Sequence, residues 1–190
     1  TKWDESGIAG LIPDTLIQGL TGHPFGSPDM IGGGEYTCFL NGNENACTPE
    51  MFVRYAQMAA LMPVMQFSAW RVLPEADFQK VKAALALREK CLPEIFKAVE
   101  CAKVTGEPIA RSMEFVFPGQ GMERVMDQFM VGDALLVAPV WKQGEVVRSV
   151  TLPEGQWRCV SLGETEGDVL NGGRNVVLGE NEGLVVLKRV

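Results

Sequence analysis

Two acidic loci have residue types and neighbours that could support chemistry. Trp3-Asp4-Glu5-Ser6-Gly7 places two consecutive carboxyls beside an indole just ahead of an amphipathic stretch, and Asp29 precedes Ile31-Gly32-Gly33-Gly34. A carboxyl against an aromatic surface loses water, its pKa rises, and it becomes able to give up a proton near neutral pH. On residue type alone, Asp4 reads first as the cap of the helix that follows it, and Asp29 as the opening residue of a glycine turn. Gln66 and Ser68, at the end of Pro63-Val64-Met65-Gln66-Phe67-Ser68, add neutral donor-acceptor groups, although a buried, satisfied amide is an equal reading for Gln66. The three glycines are not a phosphate cradle, because neither a helix N-terminus nor Gly-Lys-Ser/Thr follows them. His23 and five cysteines (38, 47, 91, 101 and 159) form no metal-ligand spacing. Cys38 and Cys47 either close a small loop by a bond or remain two thiols.

These residues need elements to hold them. Ile8, Leu11, Ile12, Leu16 and Leu20 recur at steps of three and four and predict a helix over 6–20, with Pro13 in an early turn or at a kink. Thr48-Pro49-Glu50 reads as a helix start, with a capping hydroxyl, proline at the first helical position and an acid in the first turn, for a helix running to about Leu61. Residues 63–68 read as a short buried strand. Phe78, Val81, Leu85, Leu92, Ile95 and Val99 mark a long helix bent or interrupted at Pro93, and a further strand is expected around 108–115. Strands alternating with helices predict a parallel βα arrangement up to Pro118. From Phe129 onward, Val- and Leu-rich segments at 134–140, 146–152, 157–160, 175–178 and 183–188, separated by Gly, Pro and Asn turns, predict an antiparallel β domain.

The chain has 190 residues, 46% of them hydrophobic and 22% charged, enough apolar material for a packed core. Seventeen basic residues against 24 acidic ones give a net charge of −7, without a basic cluster, which argues against a nucleic-acid partner. No apolar run approaches a membrane span of about 20 residues. Thr1-Lys2-Trp3-Asp4 has neither an initiator methionine nor a signal-peptide pattern, and the expectation is a piece of a longer protein.

Five segments together resemble the retaining α-glycosidases of glycoside hydrolase family 31. They are Phe-Gly-Ser-Pro-Asp-Met-Ile-Gly-Gly-Gly (25–34), Glu-Met-Phe-Val-Arg-Tyr-Ala-Gln-Met-Ala-Ala-Leu-Met-Pro (50–63), Gly-Glu-Pro-Ile-Ala-Arg-Ser-Met (106–113), Asp-Gln-Phe-Met-Val-Gly-Asp-Ala-Leu-Leu-Val-Ala-Pro-Val (127–140) and Arg-Ser-Val-Thr-Leu-Pro-Glu-Gly-Gln-Trp (148–157). They occur in the family's order and cover nearly the whole chain. The resemblance implies an α/β fold in which residues 1–118 are the C-terminal part of a (β/α)8 barrel and residues 119–190 an all-β, sandwich-like domain. The rest of that barrel, elsewhere in the same polypeptide, would be their packing partner. It also implies hydrolysis of terminal α-O-glycosidic bonds in an oligosaccharide or glycoside substrate without a cofactor. Asp4 matches the acid/base position, with Trp3 where the commoner form has Gly, and Asp29 matches a carboxylate near the −1 sugar. Gln66 and Ser68 stand where the family commonly has Arg and His, which puts an α-galactoside-type preference beside α-glucoside. The nucleophile has no match in this chain. For a lumenal or extracellular parent, the resemblance implies a Cys38–Cys47 bond. Arg111 is expected to be a structural ion-pair partner and Trp157 a core residue; a fold kept only for binding glycans or proteins is the alternative.

Overall fold

The structure is a computed structural model, which describes residues 2–33, 47–68, 73–161, 167–179 and 183–190. Cys38 lies outside the described residues, and with it the question of a bond to Cys47.

A 3-10 turn at Ile8–Gly10 leads into helix α1 (Leu11–Leu20), with Pro13 in the first turn, where its missing N–H has no intrahelical acceptor to lose. Helix α2 (Pro49–Ala59) starts as its sequence dictates: the Thr48 hydroxyl accepts from the Met51 N–H at 3.3 Å, with Pro49 at the first position. It stops two residues short of Leu61. The carbonyls freed at its end are taken by Arg88, whose guanidinium donates to Ala60 O, Met62 O and Pro63 O at 2.6, 2.8 and 3.3 Å.

Arg88 projects from α3 (Glu75–Thr105), one helix of 31 residues. The expected break at Pro93 does not occur. Pro93 lies on the exposed face, as does Glu89, so the carbonyl that loses its N–H partner can be served by water. Val81, Ala84, Leu87, Cys91, Ile95, Ala98 and Ala102 form the buried stripe, at steps of three and four.

Of the parallel alternation expected up to Pro118, a trace is paired. The parallel pairing among the described residues is a single bridge, Ile31 to Phe67. Residues 63–68 are only partly buried, with Gln66 exposed, and among the described residues this segment pairs with one other, at Ile31. The strand expected at 108–115 shrinks to β1 (Ala110–Arg111), followed by the short helix α4 (Met113–Val116) capped by the Ser112 hydroxyl. β1 pairs antiparallel with β2 (Phe129–Val131).

After β2 come β3 (Leu135–Pro139), β4 (Val147–Leu152), β5 (Gln156–Cys159), β6 (Val169–Asn171), β7 (Arg174–Gly179) and β8 (Leu184–Arg189). A six-stranded sheet runs β1-β2-β3-β8-β5-β6, and β4 pairs with β7 in a second sheet. Among the described residues, each pairing among strands β1 to β8 is antiparallel, as expected of the segments after Phe129. β3 and β8 are buried on both faces. Phe129, Val131, Leu135, Val137, Leu184 and Val186 join the core of α1, α2 and α3, while Met130, Leu136, Ala138, Val185 and Leu187 join a second core with Val150, Leu152 and Trp157. The period-two alternation of a strand sends successive residues into different cores.

The indole of Trp157 is fully buried and donates to Pro153 O at 3.0 Å. Gln128, also buried, uses its amide as a strand would, donating to Thr151 O at 2.8 Å and accepting from Thr151 N at 3.0 Å. Arg111 is 4% exposed and ion-paired with Glu107 at 2.9 Å and Asp133 at 2.6 Å, the role expected of it. Among the described residues, no helix is long and apolar enough to cross a membrane.

Candidate functional site

The bridge is where the site begins. Ile31 N donates to Gln66 O at 3.0 Å and Ser68 N donates to Ile31 O at 2.9 Å, which fixes Asp29, two residues before Ile31, relative to Ser68. Both residues line a cleft of about 810 Å³, together with Glu5, Ser6, Gln18 and Tyr55. Tyr55 reaches it from α2 and Gln18 from α1, while Glu5 and Ser6 arrive on the turn ahead of the 3-10 helix.

That turn is shaped by backbone contacts. Gly7 N and Ala9 N donate to Asp4 O at 3.0 and 3.2 Å, and Ile8 N donates to Lys2 O at 3.0 Å. Gly7 is required here, because a Cβ on it would meet Lys2 O at 2.2 Å. The Asp4 carboxylate accepts from Ser6 N at 3.0 Å and Ser6 Oγ at 2.6 Å. The hydroxyl bond foremost holds the Asp4 carboxyl below the ordinary carboxylate range; desolvation, the next largest effect, opposes it, and the amide bond and the Lys2 charge add to the lowering. The expectation of a carboxyl raised by an apolar neighbour is therefore not met within this chain. Asp4 is exposed, and Trp3 turns its partly buried ring against the helical core.

The residues singled out in the sequence thus divide. Asp29 and Ser68 meet in the cleft with Glu5, the neighbour that competed with Asp4. Asp4 stands outside the lining but is tied to Ser6, which belongs to it. Gln66 contributes its backbone carbonyl to the bridge and is exposed. Sequence reasoning missed Tyr55, Gln18 and Thr15 as lining. The signal for Tyr55 was a phenol on an otherwise apolar helix face, which reads as core.

Asp29 itself accepts from the N–H of its neighbour Met30 at 2.7 Å. Tyr55 is 1% exposed, its hydroxyl has no hydrogen-bond partner among the described residues, and burial foremost, then the charge of Asp29, raises its pKa. The arrangement offers carboxylates, hydroxyls and an amide around an open volume, the donor-acceptor set that polyhydroxylated ligands require.

Residues 106–179 match the glycosyl hydrolase family 31 C-terminal domain. The chain is 37% identical over 157 residues to the myogenesis-regulating glycosidase of Mus musculus, covering 80% of this chain and 22% of that protein. The chain belongs to glycoside hydrolase family 31. It is also 34% identical over 178 residues to the SITS-binding protein of Tetronarce californica, covering 90% of this chain and 24% of that protein. It spans about a quarter or less of the length of these two relatives. Among solved structures, a family 31 α-xylosidase from a soil metagenome, complexed with xylose, superposes with a TM-score of 0.79 at 26% identity, covering 94% of this chain and 29% of that one. The family 31 C-terminal domain coincides with β1 to β7 of the fold described above.

Proposed function

We propose that these residues belong to a retaining glycosidase that hydrolyses terminal α-O-glycosidic bonds by double displacement, without a cofactor. In this reading residues 1–118 form the C-terminal part of its (β/α)8 barrel and residues 119–190 a sandwich-like β domain, with β1 already joined to the sheet of the second part, and the remainder of the barrel packs against the first part. The observation that carries the reading is the convergence of Asp29, Ser68 and Glu5 on one cleft next to Asp4. In a barrel enzyme, such a cleft lies at the C-terminal ends of the strands.

Asp4 is the acid/base in this reading. Retaining chemistry needs two carboxyl groups about 5 to 5.5 Å apart, one attacking the anomeric carbon while the other protonates the leaving oxygen. The nucleophile lies on an earlier strand outside this chain, and the arrival of that second charge is what lifts Asp4 from its low value. Asp29 accepts hydrogen bonds from hydroxyls of the −1 sugar. Gln66 and Ser68 replace a cation and an imidazole, so the pocket reads a different hydroxyl pattern from that of an α-glucosidase, with α-galactoside as the favoured substrate class, and Trp3 borders the acid/base.

A second reading, a glycan- or protein-binding relative without catalysis, is favoured by Gln66 and Ser68 standing where the family commonly has Arg and His. Kinetics of the complete polypeptide decide. Asp4→Asn should cripple hydrolysis of substrates with poor leaving groups while sparing the first step with glycosyl fluorides. Azide should then restore turnover, giving the α-glycosyl azide. The same behaviour from Glu5→Gln in place of Asp4→Asn moves the acid/base by one residue, and an inactive wild type carrying an intact nucleophile supports the binding reading.

A further inference from the structure

We propose that the Tyr55 hydroxyl positions the Asp29 carboxylate, donating a hydrogen bond to it when a sugar occupies the cleft. This rests on the reading of Asp29 as a sugar-binding carboxylate.

Tyr55 is buried in α2 among Met51, Phe52, Ala56 and Met58, yet its hydroxyl oxygen, itself inaccessible, has no partner among the described residues. An unpaired buried hydroxyl is costly, and phenylalanine would fill the same apolar volume without that cost. The hydroxyl is accounted for if it acquires a partner in the occupied site. The cleft holds a suitable one. Asp29 and Tyr55 both line it, and they are near enough for the charge on Asp29 to act on the phenol.

Three other hydroxyls along the cleft are engaged within the chain. Thr15 donates to Leu11 O at 2.7 Å, Ser27 to Pro28 O at 2.9 Å and Ser6 to Asp4. Asp29 uses one carboxylate oxygen for the adjacent Met30 N–H, a local contact that leaves its second oxygen open to a donor. The contact with the adjacent Met30 N–H does not by itself aim the Asp29 carboxylate at a ligand. A phenol fixed by a helix would hold it in one orientation and leave its remaining lone pairs for sugar hydroxyls.

The test uses the complete polypeptide with 4-nitrophenyl α-D-galactopyranoside and α-D-glucopyranoside. Tyr55→Phe should leave the melting temperature unchanged or raise it, since it removes an unpaired hydroxyl. It should lower kcat/KM roughly ten- to a hundredfold, the effect of one hydrogen bond to a charged group. In an Asp29→Asn background, the same change should cost less than about twofold, because both substitutions break one interaction. Equal losses in the two backgrounds, or wild-type kinetics for Tyr55→Phe beside an impaired Asp29→Asn, overturn the proposal and leave the role of Asp29 standing. Wild-type kinetics for Asp29→Asn remove the reading of Asp29 itself and the proposal with it. Should Tyr55→Phe fail to fold, 3-fluorotyrosine at position 55 keeps the hydroxyl. Its fluorine resonance should shift on adding D-galactose or D-glucose when Asp29 is present and stay fixed in Asp29→Asn; a resonance insensitive to both sugars with Asp29 present overturns the proposal.

Discussion

Ile31 and Phe67 are joined by a parallel bridge in which Ile31 receives from Ser68 N and donates to Gln66 O, and Phe67 stacks on Phe52 of α2 with ring centroids 5.9 Å apart. Two segments distant in sequence are thereby brought into one register, and α2, which carries Tyr55, is packed beneath them.

Ile31 is fully buried, so Ile31→Ala should cost about 2–5 kcal/mol by leaving a cavity under the bridge. Urea unfolding of the complete polypeptide measures it. A loss below about 1 kcal/mol would mean that the site collapses readily around the missing methyls and that the bridge is held by other contacts.

Replacing Ser68 tests the sugar preference. With Ser68 in the cleft, kcat/KM for the aryl α-galactoside should exceed that for the matched α-glucoside, and Gln66→Arg/Ser68→His should move the ratio toward glucoside. A tenfold glucoside preference in the wild type, about 1.4 kcal/mol of transition-state discrimination, would reject the assignment of specificity to these positions.

The buried Arg111 and its exposed carboxylates are not equivalent targets. The Arg111 side chain is 4% exposed, whereas those of Glu107 and Asp133 are 43% and 70% exposed. Arg111→Met leaves two carboxylates that water can solvate. Glu107→Gln/Asp133→Asn leaves a buried guanidinium without a counterion, for which a cost of about 3–5 kcal/mol is expected. The double substitution should therefore be the more destabilising. The reverse order in chemical denaturation would show that packing of the arginine stem outweighs its charge.

Glu94 ties α3 to β8 through Lys188 at 2.8 Å and also meets Lys97 at 3.2 Å. The Lys188 bond foremost, then the Lys97 bond and the two ammonium charges, hold its carboxyl below the ordinary range despite partial desolvation. A carboxyl depressed in the folded state adds stability that is fully present above its unfolded value of about 4.3 and is lost as pH falls through the folded value. The melting-temperature gap between wild type and Glu94→Gln should accordingly be widest above about pH 5 and close on acidification. A gap that persists unchanged in acid would assign the effect to something other than ionisation.

The helix start at Thr48-Pro49-Glu50 was legible because capping is a local matter of one hydroxyl and one amide, and the strands after Phe129 because alternation and turn residues are local too. An interruption at Pro93, one of the two outcomes expected there, does not occur, since whether a proline breaks a helix depends on where the freed carbonyl points, and only packing fixes that face. The strand at 108–115 was misread for a related reason: its partner, β2, is set by the chain's return after Pro118 and not by its own residues. At the site, Asp29 and Ser68 were visible as residue types in a resembling context. Tyr55 was hidden, because its isolation is a property of what surrounds its hydroxyl in space.

Because β3 and β8 send alternate residues into two cores, they act like a party wall between adjoining houses. Anyone exchanging the β portion between relatives by splicing at Pro118 would carry that wall away with one house, and with it the strands that seal α2 and α3. β1, which starts the sheet, would stay behind. Chimeras made within the family should tolerate a junction ahead of Pro108 better than one after Arg111, and matched replacement of Val137 and Val186 with the donor helices should rescue the latter.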